Sequence, residues 1–213
     1  MNFAYKISSW NRKRKFRHFI KTISPKKEDK LLDVGFSNSA SYDEVNSIEI
    51  HYPYPENITA LGLETEGTDF FKSTFPLVKV VLYDGNKFPF DDNTFDIGWS
   101  NAVIEHVGDK SKQINFLKEL VRTCKTVYFT TPNKYFPIEL HTMFLFIHWF
   151  PNDIFHKILS KTKKARAEGN NLYLLSKRQI KIICKAADAE IISIKRNRFF
   201  GFTMNFCVIV KKH

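Results

Sequence analysis

Short apolar runs alternate with helically spaced segments along this chain. Lys30 to Gly35, Ile58 to Glu64, Val78 to Asp84, Phe95 to Trp99 and Lys125 to Thr131 read as five strands. Glu190 to Lys195 and Asn205 to Val210 add two more near the end. Between them, Phe70 to Phe75 predicts a short helical piece broken by Pro76. Asp109 to Cys124 places Ile114, Leu117, Leu120 and Val121 on one helical face. Ser176 is a plausible N-cap for a helix reaching Ala187. Strands alternating with helices predict an α/β fold: a doubly wound, mostly parallel sheet of about seven strands in a single domain. No internal repeat interrupts this pattern.

The strand ends carry the polar chemistry. Asp33 and Gly35 end the first strand, Glu64 the second, Asp84 and Gly85 the third, and Ser100 and Asn101 the fourth. Ligands of open α/β sheets bind outside these carboxyl ends. A glycine there admits close backbone approach. A carboxylate offers two acceptor oxygens, suited to ribose hydroxyls at Glu64 or to an exocyclic amine at Asp84. An equally simple reading of Asp84 is a turn-forming residue. Gly35 is followed by Phe36-Ser-Asn-Ser-Ala40, without the further glycines of a dinucleotide loop. No GxxxxGK[ST] phosphate loop and no GxSxG nucleophile turn occurs.

Taken together, these segments resemble a known family. Leu-Leu-Asp-Val-Gly35, Leu-Gly-Leu-Glu64, Asp84-Gly85, Phe88-Pro-Phe-Asp-Asp-Asn-Thr-Phe-Asp96 and Asn101-Ala-Val-Ile-Glu-His-Val107 are similar to class I S-adenosylmethionine-dependent methyltransferases, in particular the type 11 group. The resemblance covers about residues 30 to 135. It implies a Rossmann-like fold and S-adenosylmethionine as cofactor. It also implies cofactor contacts from Asp33, Gly35, Glu64, Asp84, Gly85, Ser100 and Asn101. A second glycine, usual in that group after Gly35, is replaced here by Phe36-Ser-Asn-Ser39. Thr131 to His141, with His148-Trp-Phe-Pro151, resembles a bacterial subgroup associated with glycan and cell-envelope genes.

Transfer to a hydroxyl acceptor calls for a base within hydrogen-bond reach. His106, His141 and Glu105 are the candidates, each with a purely structural alternative. The aromatic run Tyr135 to Phe150 reads as core or as a cover for the pocket.

Charge and composition adjust the picture. The 213 residues carry 33 basic and 22 acidic side chains, a net charge of +11, which favours anionic partners. Seven of the basic residues fall before Ile23, interleaved with Trp10, Phe16, Phe19 and Ile20. That predicts a basic amphipathic helix over 1–24, ahead of a methyltransferase domain over 25–213 with an aromatic and basic insertion at about 134–170. Lys157 to Arg166 reads as a basic linker within it. The helix is expected to pack on the domain with its charged face solvated; contact with an anionic membrane surface is the second expectation.

Three dispersed cysteines and no clustered histidines predict reduced thiols, no metal site and a cytoplasmic setting, with peripheral membrane contact as a variant. The expected activity is methyl transfer to a small-molecule, glycan or lipid-linked acceptor. An RNA-directed enzyme ranks below it, as does a non-catalytic membrane-surface scaffold with a degenerate cofactor loop.

Overall fold

A computed structural model describes residues 3–38, 46–63, 67–138, 145–150, 152–159 and 172–213. One seven-stranded sheet runs in the order β3-β2-β1-β4-β5-β7-β6. Its strands are β1 (Leu31–Val34), β2 (Ile58–Leu63), β3 (Lys79–Tyr83), β4 (Phe95–Asn101), β5 (Cys124–Pro132), β6 (Ala189–Phe199) and β7 (Phe202–Lys212). All seven expected strands are present. The β3-β2-β1-β4 ribbon is parallel throughout, whereas β6 and β7 form an antiparallel hairpin.

The chain groups into two compact units. The first comprises Met1–Asn101 with Glu119–Tyr128, and the second Ala102–Lys118 with Phe129–His213.

In the first unit, helix α1 (Phe3–Ile23) buries a stripe at four-residue spacing: Asn11, Lys15 and Phe19. Phe19 meets Trp99 of β4 and Tyr128 of β5 edge-on, at 4.8 and 5.4 Å between ring centroids. Trp99 and Tyr128 stack on each other at 5.2 Å. Tyr128 Oη donates to the Lys15 carbonyl at 3.2 Å and lies 2.9 Å from His18 Nδ1. The basic N-terminal helix is therefore part of this unit's core, with Lys13, Arg17 and Lys21 left on its solvated side. Helix α2 (Ser47–His51) was not apparent from the sequence. Its five residues are too few to show a period. Helix α3 (Asp69–Thr74) matches the short piece expected before Pro76.

In the second unit, helix α6 (Lys177–Ala186) starts on a capping box at Ser176. Gln179 N–H donates to the serine hydroxyl, and the Gln179 side chain accepts from Ser176 N–H. Its buried Ile180, Ile183 and Cys184 form the packed face. Helix α5 (Asn152–Leu159) takes in the first residues of the segment expected as a basic linker, so Lys157 is helical. Phe155 of α5 packs with Leu172, Leu174 and Ile147. Strand β7 is buried continuously from Met204 to Val210, as an interior strand must be. Strand β6 is an edge, with exposed Lys195, Arg196 and Arg198 and two register shifts against β7. Helix α4 (Lys110–Thr123) and strand β5 belong in part to each unit. No helix among the described residues is long and apolar enough to cross a membrane.

Candidate functional site

Strand register brings the first unit's polar ends together. Val34 pairs with Leu61, Asp33 with Trp99 and Leu63 with Tyr83. Gly35, Ser100, Asn101, Asp84 and Gly85 consequently follow the last paired residues of adjacent strands, along one edge. Glu64, the expected ribose-binding acid, lies outside the described residues, one position beyond Leu63.

The loop after β1 is built without its second glycine. Gly35 adopts φ +94° and donates its N–H to the Leu61 carbonyl at 2.9 Å. Phe36 then turns inward, buried, with its ring 4.3 Å from that of Phe71 in α3. Asn46 clamps Ser37 from both sides: its Oδ1 accepts Ser37 N–H and its Nδ2 donates to the Ser37 carbonyl, each at 2.8 Å. Asn38 Oδ1 accepts the Phe71 N–H at 2.8 Å, tying the loop to α3. Two asparagine amides thus fix the loop's path, and a pattern search for glycines overlooks them.

Asp33 is buried, and so is Glu49 of α2. Burial pushes the Asp33 carboxyl up to about 6, against a hydrogen bond from Glu49 that pulls it down. Burial, and next the charge of Asp33, holds Glu49 well above the usual carboxylate range. Both effects favour the protonated form of Glu49 beside Asp33. Asp33 acts beneath the loop as half of a buried carboxyl pair, and Glu49 was not among the expected residues.

Asp84 is exposed and folds back on its own turn. Its Oδ1 accepts Asn86 N–H at 2.9 Å and its Oδ2 accepts Asn86 Nδ2 at 2.8 Å. These bonds hold its pKa below the ordinary value. The turn-forming reading is correct as far as it goes, and each oxygen retains a lone pair for a ligand. Gly85 beside it has φ +88°. At the end of β4, Ser100 is buried, and its Oγ has no hydrogen-bond partner among the described residues. An unpartnered buried hydroxyl is costly unless a ligand or water completes it. An open glycine turn, an ionised exposed carboxylate and this hydroxyl form a donor and acceptor set that fits a nucleoside with an amino-acid tail.

The motif between β3 and β4 has a mechanical role. Arg122 of α4 donates to the Phe90 carbonyl at 2.8 Å, the Phe88 carbonyl at 3.1 Å and Asp92 Oδ1 at 3.0 Å. Its partner Glu119 accepts two of its N–H groups, at 2.9 and 2.6 Å, and also the Phe88 N–H at 2.9 Å. Asp96 accepts from Lys30 N–H at 3.0 Å and Lys125 Nζ at 2.7 Å, lowering its pKa. Asp92 and Asp96 are therefore fasteners for the loop and sheet.

In the second unit, the turn after β4 opens with Ala102 at φ +61°, a strained conformation for a residue with a Cβ. Glu105 is fully buried. Its Oε2 accepts from Thr131 Oγ1 at 3.0 Å, and its backbone carbonyl accepts Tyr173 N–H at 2.7 Å. Gln113 Nε2 donates to the Ile104 and Tyr173 carbonyls at 3.2 and 2.9 Å. His106 is exposed, its N–H bonded to the Val103 carbonyl at 2.8 Å. His141 lies outside the described residues. His148 is buried, and its Nε2 lies 2.7 Å from the Phe136 carbonyl, which can only accept; Nε2 therefore carries the proton.

Comparison with known proteins agrees with this reading. Residues 32–127 match the sequence model of the methyltransferase type 11 family, described as a methyltransferase domain. No curated protein sequence matches the chain. Among solved structures, an S-adenosylmethionine-dependent methyltransferase from Methanosarcina mazei is 14% identical, with a TM-score of 0.60 over 91% of this chain and 96% of its own. One from Clostridium acetobutylicum is 10% identical, with a TM-score of 0.62 over 96% and 92%. The [4+2]-cyclase SpnF is 13% identical, with a TM-score of 0.62 over 94% and 80%. Identities this low establish the fold, and the cyclase illustrates that one fold hosts several chemistries. The family match supplies the rest.

The family-model match over residues 32–127 and the shared fold identify a class I S-adenosylmethionine-dependent methyltransferase. Within that class, residues 32–127 carry the match to the type 11 family model, and S-adenosylmethionine is the cofactor.

Proposed function

We propose that the protein methylates a small-molecule, glycan or lipid-linked acceptor, and that the strand-end residues of the first unit hold the cofactor. The carrying observation is the register that aligns Gly35, Asp84-Gly85 and Ser100-Asn101 on one edge. In this reading the exposed backbone at Gly35 and the Ser100 hydroxyl receive the amino-acid tail. Glu64 receives the ribose hydroxyls, and Asp84 with the Gly85 backbone receives the adenine. Asp33 contributes by supporting the Gly35 turn with Glu49.

When bound, S-adenosylmethionine supplies a methyl already activated on a sulfonium, so the protein's task is alignment and exclusion of water. His106 is the first candidate to take a proton from a hydroxyl acceptor, because its side chain is exposed at the turn after β4. Glu105, buried against Thr131, serves by fixing that turn. His141 remains a second candidate base.

Calorimetric titration with S-adenosylmethionine, its demethylated product and NAD tests the cofactor assignment directly. The two sulfur nucleosides should bind and NAD should not. Asp84→Ala and Ser100→Ala should each weaken binding, about tenfold for loss of one good hydrogen bond to a charged or buried group. Wild-type protein that ignores both sulfur nucleosides would refute the assignment.

A further inference from the structure

One end of the second unit carries a rim of exposed aromatic side chains. At the carboxyl end of β5, Asn133 N–H donates to the Met204 carbonyl and its Nδ2 to the Thr203 carbonyl, each at 2.9 Å. These bonds set the start of β7, and hence the β6–β7 turn, beside Asn133, Lys134 and Tyr135. The turn is Phe200-Gly201, closed by the Phe199–Phe202 pair. Phe200 has φ +45° and is 83% exposed. Both properties run against local preference, since this position favours Gly, Asn or Asp and the Phe200 ring stays largely in solvent although it meets Phe199 edge-on at 4.6 Å. Phe202 is also exposed.

On the β5 side, Tyr135 is 56% and Trp149 44% exposed, and Phe146 and Phe150 join them. The Trp149 ring sits 4.8 Å from Phe146 and 6.4 Å from Tyr135 between centroids. Phe146 too has a positive φ, +60°. Trp149 keeps its indole N–H on the Phe136 carbonyl at 3.4 Å. Exposed cations run along β6 away from the turn: Arg198, paired with Thr203 beside it, then Arg196 and Lys195.

We infer that this rim docks the enzyme onto an anionic lipid surface. Aromatic rings with polar edges favour the headgroup level of a bilayer. Lys and Arg side chains along β6 add attraction to anionic headgroups. Two phenylalanines held at positive φ are consistent with a surface kept apolar for a partner. The mode differs from docking through the N-terminal helix, whose Phe19 is already used in the first unit's core. Resting on the methyl-transfer reading above, it narrows the acceptor to a lipid-linked one.

The test is flotation with phosphatidylcholine vesicles, with and without phosphatidylglycerol, and tryptophan quenching by brominated acyl chains. Wild-type protein should float with the anionic vesicles. Quenching should persist in Trp10→Phe and disappear in Trp149→Phe. Phe200→Asn suits the turn and should keep or raise thermal stability, yet lower vesicle partitioning about tenfold. No flotation, or quenching that depends on Trp10, overturns the inference. Retention of a labelled RNA that Phe200→Asn abolishes, without vesicle binding, would also overturn it and assign the rim to nucleic acid. Calorimetry with S-adenosylmethionine on the same samples reports separately on the cofactor assignment.

Discussion

The ring of Phe36 occupies the space that any side chain at position 62 would need. A Cβ on Gly62 would come within 2.5 Å of Phe36 Cε1 and 2.9 Å of its Cζ. The ring cannot swing aside, because it is buried against Phe71. The glycine in β2 and the phenylalanine after Gly35 are therefore one device, which gives the loop after β1 its path. Gly62→Ala should cost about 1–3 kcal/mol by overpacking. It should also weaken S-adenosylmethionine binding, because relief comes by moving the loop. Thermal denaturation and calorimetry read the two effects. A variant with normal stability and normal cofactor affinity would remove this role for Gly62.

The Asp33–Glu49 pair predicts an unusual dependence on pH. Folded-state pKa values above the unfolded ones mean that the native protein binds protons the unfolded chain releases. Their contribution is fully present below the ordinary carboxylate range and is lost as pH rises through about 6 for Asp33, and through the raised pKa of Glu49. Stability from this pair should fall between about pH 4 and 7. Glu49→Gln keeps the side chain's size beside Asp33 and removes one titration. Its melting temperature should change less over that range, and at neutral pH it should equal or exceed that of the wild type. A slope identical to the wild type would exclude the pair as its source.

Arg122 offers a test of the loop fasteners. Its guanidinium and the Glu119 carboxylate are both largely buried, and together they satisfy two carbonyls and one N–H of the segment Phe88 to Asp92. Arg122→Ala leaves Glu119 without its charged partner and should cost about 2–3 kcal/mol. Arg122→Lys, lacking the planar fork, should recover only part of this. Hydrogen exchange should localise the loosening to the segment between β3 and β4.

Why some of this was legible in the sequence, and some was not, follows from the range of the interactions. Strand ends are local events: Leu31 to Val34 stop at Gly35, and Lys79 to Tyr83 stop at Asp84, so apolar runs and their breakers reveal them. The same holds for Ser176, whose capping box is written within four residues. Glu49, Asn46 and Arg122 gain their roles from partners 9 to 34 positions away, and nothing in their own neighbourhoods announces it. The hairpin tip was hidden for a different reason. The expected strands stop at Lys195 and resume at Asn205, and only the positive φ values at Phe200 and Gly201 place the turn between them. Asp33 is expected from the family resemblance as a cofactor residue, but its burial and the nearby Glu49 emerge only with α2, a helix too short to leave a pattern.

The boundary drawn at residue 24 makes a final prediction. Composition sets the N-terminal helix apart as a basic appendage, while its contacts make it structural. Phe19 is fully buried between Trp99 and Tyr128, and Lys15 contributes its carbonyl to the Tyr128 hydroxyl. A chain starting at residue 25 would expose the face of the Trp99–Tyr128 stack and strand that hydroxyl. It should unfold or aggregate. Phe19→Ala should cost about 3–5 kcal/mol, the usual penalty for emptying a core aromatic site. Tyr128→Phe keeps the stack and should cost only about 1 kcal/mol for the lost hydroxyl bond. Neutralising the exposed Lys13, Arg17 and Lys21 should leave the melting temperature nearly unchanged. Chemical denaturation of these variants separates the alternatives. A truncated chain that folds cooperatively with wild-type cofactor affinity would restore the helix to a separate appendage.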